Sequence, residues 1–575
     1  MKVLRINTRT KENHYEPFKE EWKIYGQRGL IDKFIEAELD PKCDPLGPDN
    51  KLFIVTGVFA GTGVPSSGRI SGGAKSPLTG TIKESTSGGM IGPYMTSQEI
   101  KGIVLEDQPA ADDPWQVIKI DADGNVEFLP ADEYMGKNTY EVSHMIQHKY
   151  GDKAGALVLG RAGEMGYKVA SIMAIEFNTG HPCRAMGRGG LGAVLGSKKI
   201  KAIIMEKPNG KYVPPYVDKA KFDAAKKGIA TVTKENPKCQ GFTTKGTAGF
   251  LTGTNQTTRA IPIQNFRGGA VTPEQREHFG PEAWEAKNKV SGGHGSVPCH
   301  PGCVMRCSNI YNDPQGNHIT SGLEYETVSL FCPNCLIWDF DVAARLDRLC
   351  DEMGIDTIEA GNLIAICMDG GVIEWGDGDG AIKLLEGMSE GTELGRIMGE
   401  GTVPLGKHLG VTRVPQCKGQ SFAAYDPRTQ PGGGIAYALS PQGADHSVGQ
   451  VVAPDKNNRE ILAMAGNRML DQCIVDNFGC TLMNAAYFGQ PRFVPDLYEG
   501  LFGGEWDKEK LYEIGREMFR IERKFNKEAG FGPEDDMLPE FCVKEANPAN
   551  DNKFDLTVEE LEEVFRPMGA CYDQL

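Results

Sequence analysis

The 575-residue sequence has no apolar run approaching the roughly 18 residues that a membrane-spanning helix requires, which argues against a bilayer-crossing segment. It is also short of basic residues: 62 Lys and Arg stand against 78 Asp and Glu, for a net charge of −16. A nucleic-acid partner is therefore not expected, because such affinity rests largely on neutralising backbone phosphates with cations, and any phosphate ligand needs a local basic pocket. The start, Met1-Lys2-Val3-Leu4-Arg5-Ile6-Asn7, lacks the apolar stretch and cleavage site of a secretory leader, so the expected compartment is the cytoplasm. No internal repeat with a period of roughly 20–50 residues is visible. Cysteines are not scarce, but their number, 15, is odd. In a reducing compartment a close-spaced subset reads better as metal ligands than as disulfides.

The length exceeds one ordinary core and implies several domains. The first 210 residues alternate short β-prone runs, such as Leu52-Phe53-Ile54-Val55 and Ile200-Lys201-Ala202-Ile203-Ile204, with Gly, Pro and Ser turns; a helical stretch lies around Tyr140–Lys149. After Lys207-Pro208-Asn209-Gly210 the pattern changes to longer segments with apolar residues at three- and four-residue spacing, as in Lys219–Thr233 and Asp341–Met353. A second boundary falls near Gly410–Gly419. The expected fold is α+β: an N-terminal mainly β domain (1–210) followed by two mainly α-helical domains (211–415 and 416–575).

The segment Cys299-His300-Pro301-Gly302-Cys303-Val304-Met305-Arg306-Cys307 carries three cysteines at C-x3-C-x3-C spacing. Three thiolates so close can share one metal centre, and a cubane iron–sulfur cluster would take a fourth from far away in the chain. A zinc site or three unrelated buried thiols are the alternatives, although zinc ligands more often pair as C-x2-C. Cys332-Pro333-Asn334-Cys335 has that spacing but lacks a surrounding thioredoxin-like βαβ pattern. His144 and His148, at i and i+4, read as a surface pair.

Two glycine-rich stretches concentrate cations in this acidic chain. One runs Arg69-Ile70-Ser71-Gly72-Gly73-Ala74-Lys75-Ser76-Pro77-Leu78-Thr79-Gly80 and on to Ser85-Thr86-Ser87-Gly88-Gly89; the other is Cys183-Arg184-Ala185-Met186-Gly187-Arg188-Gly189-Gly190-Leu191-Gly192-Ala193-Val194-Leu195-Gly196-Ser197-Lys198-Lys199. Backbone amides freed by glycine can cradle phosphates. The formal G-x-G-x-x-G match at Gly187 lacks a Rossmann βαβ unit, and turns without a ligand are the alternative reading.

Taken in order, these stretches resemble the tungsten-dependent aldehyde:ferredoxin oxidoreductase family, whose first domain carries K-S-P-L-T-G, a Ser/Gly-Gly turn and R-A-x-G-R-G-G-x-G-A-V-x-G-S-K-K. The resemblance extends to Gly160-Arg161-Ala162-Gly163-Glu164, Glu324-Tyr325-Glu326-Thr327, Tyr425-Asp426-Pro427-Arg428 and Asp535-Asp536-Met537-Leu538-Pro539, and so covers nearly the whole chain. It implies a tungsten (or molybdenum) ion held by two pyranopterins beside a [4Fe–4S] cluster, with Mg2+ bridging the pterin phosphates. Family D-x-x-G-L-D and D-x-x-G-L-C segments each grip one pterin. Asp351-Glu352-Met353-Gly354-Ile355-Asp356 matches the first; Asp476-Asn477-Phe478-Gly479-Cys480 matches the second with its cysteine one position early. The resemblance thus makes Cys480 the fourth cluster ligand in preference to Cys473. It places Arg69, Arg184 and Ala185 at the phosphates and the magnesium. With the glycine stretches, the expected cofactor-binding set is Arg69, Lys75, Ser87, Gly88, Gly89, Arg184, Ala185, Gly187, Arg188, Gly189, Gly190, Asp351, Gly354, Ile355, Asp356, Asp476 and Gly479.

The activity implied is oxidation of an aldehyde to a carboxylic acid, with electrons passing through the cluster to ferredoxin or a ferredoxin-like subunit and with homo- or hetero-oligomers open. Such chemistry needs a base and a carbonyl-polarising donor. Glu326, Glu324 and His446 are the candidates; the two glutamates flank a tyrosine and either point the same way or one caps a following helix. Two other readings are the catalytic subunit of a tungsten-dependent aromatic acyl-CoA reductase and a non-catalytic iron–sulfur or zinc protein.

Overall fold

The structure is a computed structural model that describes residues 1–487 and 492–575. Twelve strands in the first 205 residues form two six-stranded sheets. The first contains β1 (Lys2–Asn7), β2 (Asn13–Pro17), β3 (Leu52–Thr56), β4 (Ile70–Lys75), β5 (Ile82–Ser87) and β6 (Ile100–Glu106), in the order β2-β1-β6-β3-β4-β5. The second contains β7 (Gln116–Ile120), β8 (Val126–Pro130), β9 (Gly155–Val158), β10 (Ile172–Ala174), β11 (Arg184–Met186) and β12 (Ile200–Met205), in the order β8-β7-β12-β9-β10-β11.

The two orders are the same. Each sheet has one parallel pair, β1 with β6 and β7 with β12, and every other pairing is antiparallel. Each parallel pair shifts register beside a lysine one hundred positions apart, Lys101 and Lys201, and a seven-residue helix (Ile91–Ser97, Leu191–Ser197) precedes each of those strands. The domain is an internal duplication whose period is too long for the repeat range considered above.

Side chains alternate across a strand. Leu4, Ile6, Ile54, Ile103 and Leu105 of the first sheet accordingly meet Ile118, Ile120, Leu157, Ile172 and Ile203 of the second in one buried layer. The opposite face of the first sheet, with Val3, Phe53, Val55 and Val104, joins the core of the helical region through the helix Gln27–Glu38; that of the second, with Val117, Val158 and Ile204, is covered by the helix Thr139–Tyr150.

Beyond Met205 the chain is mostly helical, interrupted by a three-stranded sheet of β13 (His294–Val297), β14 (Ser308–Asn312) and β15 (His318–Ser321). The expected amphipathic segments are the helices Lys219–Glu235 and Phe340–Met353. Helices distant in sequence pack together: Lys219–Glu235 lies on Phe493–Phe502, and Asn458–Asp476 on Lys508–Ala529. No described helix is long and apolar enough to cross a membrane.

Ile203 is fully buried between the sheets. Ile203→Ala should lower the unfolding free energy by about 2–5 kcal/mol, read from chemical denaturation, because a well-packed layer cannot collapse into the space left. A loss below roughly 1 kcal/mol would show the layer to be loose.

Candidate functional site

The segment between β13 and β14 carries Cys299, Cys303 and Cys307, and the N-terminal domain fixes it. The Gly89 amide donates to the Cys299 carbonyl at 2.8 Å, and a Cβ on Gly88 would fall 2.6 Å from that oxygen. The Ser66 amide donates to the Gly302 carbonyl at 3.0 Å, and Gly302 turns at a φ of +82°. Cys480 arrives from the opposite end of the sequence. Asn477, just before it, accepts from the Gly26 amide (2.9 Å) and, through its carbonyl, from the Val58 amide (3.2 Å). The four thiols converge around the buried Arg69 guanidinium. Burial works against that cation, but the sulfurs of Cys299, Cys480, Cys303 and Cys307 together raise its pKa; its Nη1 is 3.4 Å from Cys299 Sγ. Cys473, the other candidate, is buried beside Arg28, Asp476 and Glu522.

One further group stands at the thiols that the cysteine spacing alone does not single out, His300. Its Nδ1 lies 3.2 Å from Cys299 Sγ, and the ligand atoms of Cys299, His300 and Cys303 all lie within 4.8 Å of one another. Its position inside the motif is the available signal. Cys332 and Cys335 lie elsewhere, the latter donating to the Leu330 carbonyl, and His144 and His148 are exposed.

Next to the thiols is a cavity of about 330 Å3, lined by Ser85 and Thr86 of β5, Ala185 of β11, Gly187, Arg188, Asp356, Asp476 and Gly479, with Gln27, Lys83, Glu84, Asp445, His446, Ser447 and Thr481 completing its walls. β5 and β11 are equivalent edge strands of the duplicated sheets, so the duplication places two matching rims on one cavity. Arg188 is held by Asp356 (3.1 Å) and by the carbonyls of Ala444 (2.8 Å) and Ser421. Asp356 also caps the helix Thr357–Asp369 by accepting from the amides of Ile358 and Glu359. Asp476 accepts from Gln472 (2.7 Å), Arg28 (3.2 Å) and Thr481 (3.3 Å). Lys83, which no motif marks, pairs with Asp445 at 2.8 Å. Burial raises the carboxyl of Glu84 to about 7.

The other expected cofactor residues divide. Arg184 donates to Ser308 Oγ at 2.8 Å while its buried Nε has no partner among the described residues, and the Ser87 hydroxyl is likewise buried and unpartnered among them. Asp351 is not among the lining residues and lies beside Tyr140; burial first, and then the Asp347 charge, push its carboxyl pKa well up. Gly354 ends its helix at a φ of +76°, and Ile355 is buried against Ala170. Lys75 is a correction to the cradle drawn from sequence. Its ammonium is turned to the carbonyls of Pro41 and Cys43 (2.8 Å to the latter), and Lys75 does not line the cavity. Gly189 and Gly190 serve packing: a Cβ would meet the Lys83 stem at the first and the Lys168 carbonyl, 2.3 Å away, at the second.

Glu324 and Glu326 diverge because a helix starts between them, at Tyr325. Glu324 accepts from Thr247 Oγ1 and lies toward Arg184 and Cys299. Glu326 Oε2 accepts from the Ala424 amide at 2.7 Å, and Oε1 lies 3.3 Å from His446 Nε2. Burial raises the Glu326 carboxyl pKa and His446 opposes it. The Tyr425 ring lies against His446, centroids 5.5 Å apart. The buried Asp426–Arg428 pair (2.7 Å) anchors the segment that supplies both Ala424 and Tyr425. His446, Ser447 and Thr481 also line a second cavity of about 400 Å3.

The donors fit a bis-pterin metal group. The edge-strand rims, the unpartnered Arg184 Nε and the Ser87 hydroxyl supply donors for phosphates, and Gly187 leaves room for them, since a Cβ there would meet no atom nearer than 3.8 Å. Four convergent thiols beside one cation suit an anionic thiolate-bound cluster.

Comparison with known proteins agrees. Residues 3–207 match the family model "Aldehyde ferredoxin oxidoreductase, N-terminal domain", and 224–569 match its "domains 2 & 3". The chain is 31% identical to the tungsten-containing aldehyde ferredoxin oxidoreductase of Pyrococcus furiosus, over 96% of this chain and 93% of that protein. It is 27% identical to the aliphatic sulfonate oxidoreductase, WOR-like subunit, of the same organism, over 74% and 71%. The fold is like the active site complex BamBC of benzoyl coenzyme A reductase, with a TM-score of 0.80 at 17% identity over 99% of this chain and 94% of that one; at that identity the likeness is one of fold.

Lys83→Met should destabilise the apo-protein by about 3–5 kcal/mol at pH 7, because Asp445 then stays buried without its nearest cation. Burial acts to raise the Asp445 pKa, but Lys83 and then Arg188 hold it below 3.8. A depressed carboxylate stabilises the fold above its unfolded pKa. The gap between wild type and variant should therefore narrow in two steps as pH falls, first where Glu84, whose charge Lys83 also favours, titrates near 7, and then for Asp445 as pH falls through 3.8 and below. A gap that widened on acidification would contradict the assignment.

Proposed function

Because the chain belongs to the aldehyde ferredoxin oxidoreductase family and is an oxidoreductase, we propose that it oxidises an aldehyde to a carboxylic acid where its two cavities meet, and delivers the electrons to ferredoxin or a ferredoxin-like subunit. The observation that carries this reading is the Glu326–His446 pair, since His446 stands on the wall that the two cavities share.

Arg184, with Arg69, would hold the pterin phosphates, and the Ala185 carbonyl their magnesium; Asp351, Asp356 and Asp476, with the turns at Gly354 and Gly479, would hold the pterin rings. When bound, the tungsten or molybdenum would take up the two electrons of the oxidation, and a [4Fe–4S] cluster on Cys299, Cys303, Cys307 and Cys480 would release them singly. The protein's own task is the proton. Glu326, with one oxygen fixed by the Ala424 amide, keeps the other for a proton released as oxygen joins the carbonyl carbon; burial raises its basicity. His446 Nε2 lies 3.3 Å from that oxygen, and its Nδ1, buried without a partner among the described residues, would polarise the carbonyl. Arg69 stabilises negative charge on the thiolates next to the cavity. The cytoplasm is the compartment that suits a low-potential iron–sulfur donor of this kind.

Glu326→Gln should lower kcat on an aldehyde panel with a viologen acceptor by about 10²–10⁴-fold while tungsten and iron contents stay at wild-type levels. Full activity in that variant would sink the assignment. Separately, Cys480→Ala should lose the four-iron paramagnetic signal of the anaerobically purified enzyme, and Cys473→Ala should keep it; the reverse pattern would move the fourth ligand to Cys473.

A further inference from the structure

The second cavity differs in charge from the chain around it. The protein carries a net charge of −16, yet the described walls of this cavity include Lys238 and Arg468 and no carboxylate. Lys238 lies in the first turn of the helix Pro237–Lys245, where it keeps access to solvent, and Arg468 lies partly buried, midway along Asn458–Asp476. Loss of surrounding water lowers the Lys238 pKa and the nearby Arg468 charge lowers it further; burial also lowers Arg468, against Asp471 and Asp476. Two like charges facing one cavity disfavour each other, and an anion placed between them relieves that cost.

An aromatic series links these cations to the reactive end. Phe242, one turn beyond Lys238, meets Phe250 edge-on at 5.1 Å; Phe250 meets Tyr325 at 6.2 Å, Tyr325 stacks on Tyr425 at 5.0 Å, and Tyr425 lies on His446. The cavity thus has Lys238 at the start of an apolar wall that leads to His446, with Glu326 behind it, and Arg468, which donates to the Gln450 carbonyl at 3.4 Å, on the same lining.

We propose that the carbonyl substrate carries a second, anionic group, a carboxylate, sulfonate or phosphate, which Lys238 and Arg468 bind while its apolar body lies along Phe242, Phe250 and Tyr425. This rests on the aldehyde-oxidising reading and adds the substrate class.

The test uses the anaerobic holoenzyme with para-carboxy-, para-sulfo- and para-phospho-benzaldehyde against para-methylbenzaldehyde. At least one anionic aldehyde should exceed the methyl compound in kcat/KM by on the order of tenfold or more, falling as salt is added, and Lys238→Gln and Arg468→Gln should each reduce that preference about tenfold. The charged aldehyde that leads distinguishes the three anions. In parallel, terephthalate should bind more tightly than the neutral para-methylbenzamide by calorimetry, and less so in Lys238→Gln. If aldehydes are oxidised with no preference for any anion, the inference is overturned and the activity stands. If no aldehyde is oxidised but terephthalate still binds preferentially through Lys238, the anion site stands and the activity is wrong. Equal binding of terephthalate and para-methylbenzamide to the wild-type protein overturns the inference whatever the variants do.

Discussion

The Arg188 guanidinium ties together the parts of the chain that enclose the cavity. It projects from the glycine stretch after β11 and binds Asp356 at the start of one helix, the Ser421 carbonyl of a short hairpin, and the Ala444 carbonyl next to Asp445 and His446. A buried arginine is tolerated only when its donors are satisfied, so the three partners must arrive together. Asp356 then caps its helix, Asp445 meets Lys83, and His446 is delivered to Glu326. Ala424 and Tyr425, which orient Glu326 and His446, are anchored in turn by the buried Asp426–Arg428 pair.

What can be read from sequence depends on the range of the interaction. The three clustered cysteines announce themselves through spacing, and the amphipathic segments around Lys219 and Asp341 through periodicity, because both signals are local. Asp356 and Asp476 are marked by motif likeness, and the structure adds that each is also committed within the protein, one as a helix cap and the other to Arg28 and Gln472. The Lys83–Asp445 pair spans 362 positions, and no local pattern marks it. Lys75 misleads for a related reason: the sequence shows a cation among glycines but not the carbonyls of Pro41 and Cys43, to which its ammonium is turned. The divergence of Glu324 and Glu326 turns on where one helix begins.

The duplicated β domain explains why cations and glycines recur in two stretches about one hundred residues apart. Each half ends in an edge strand followed by a glycine turn, β5 before Gly88–Gly89 and β11 before Gly187–Gly190. Edge strands keep unpaired backbone groups, which a free-standing sheet must protect. Here both edges border one cavity, where those groups can serve a ligand. The two turns then differ in use: the first receives the Cys299 carbonyl, and the second sends Arg188 across to the helical region. A symmetric scaffold has thereby acquired one side turned to the thiols and one turned to the helical region.

The two cavities differ in how their charge is balanced. In the first, the cations Lys83 and Arg188 are matched on the cavity walls themselves by Asp445 and Asp356, so that part of its geometry is set before any ligand arrives. In the second, the described walls present Lys238 and Arg468 and no carboxylate, and Arg468 also donates to the Gln450 carbonyl, so an anion that enters meets two cations on those walls. Pre-set pairs suit a resident group that stays through many turnovers. A wall with an excess of one sign suits a molecule that must enter and leave, because the charge it brings supplies binding energy and the solvent-accessible Lys238 regains water when it departs.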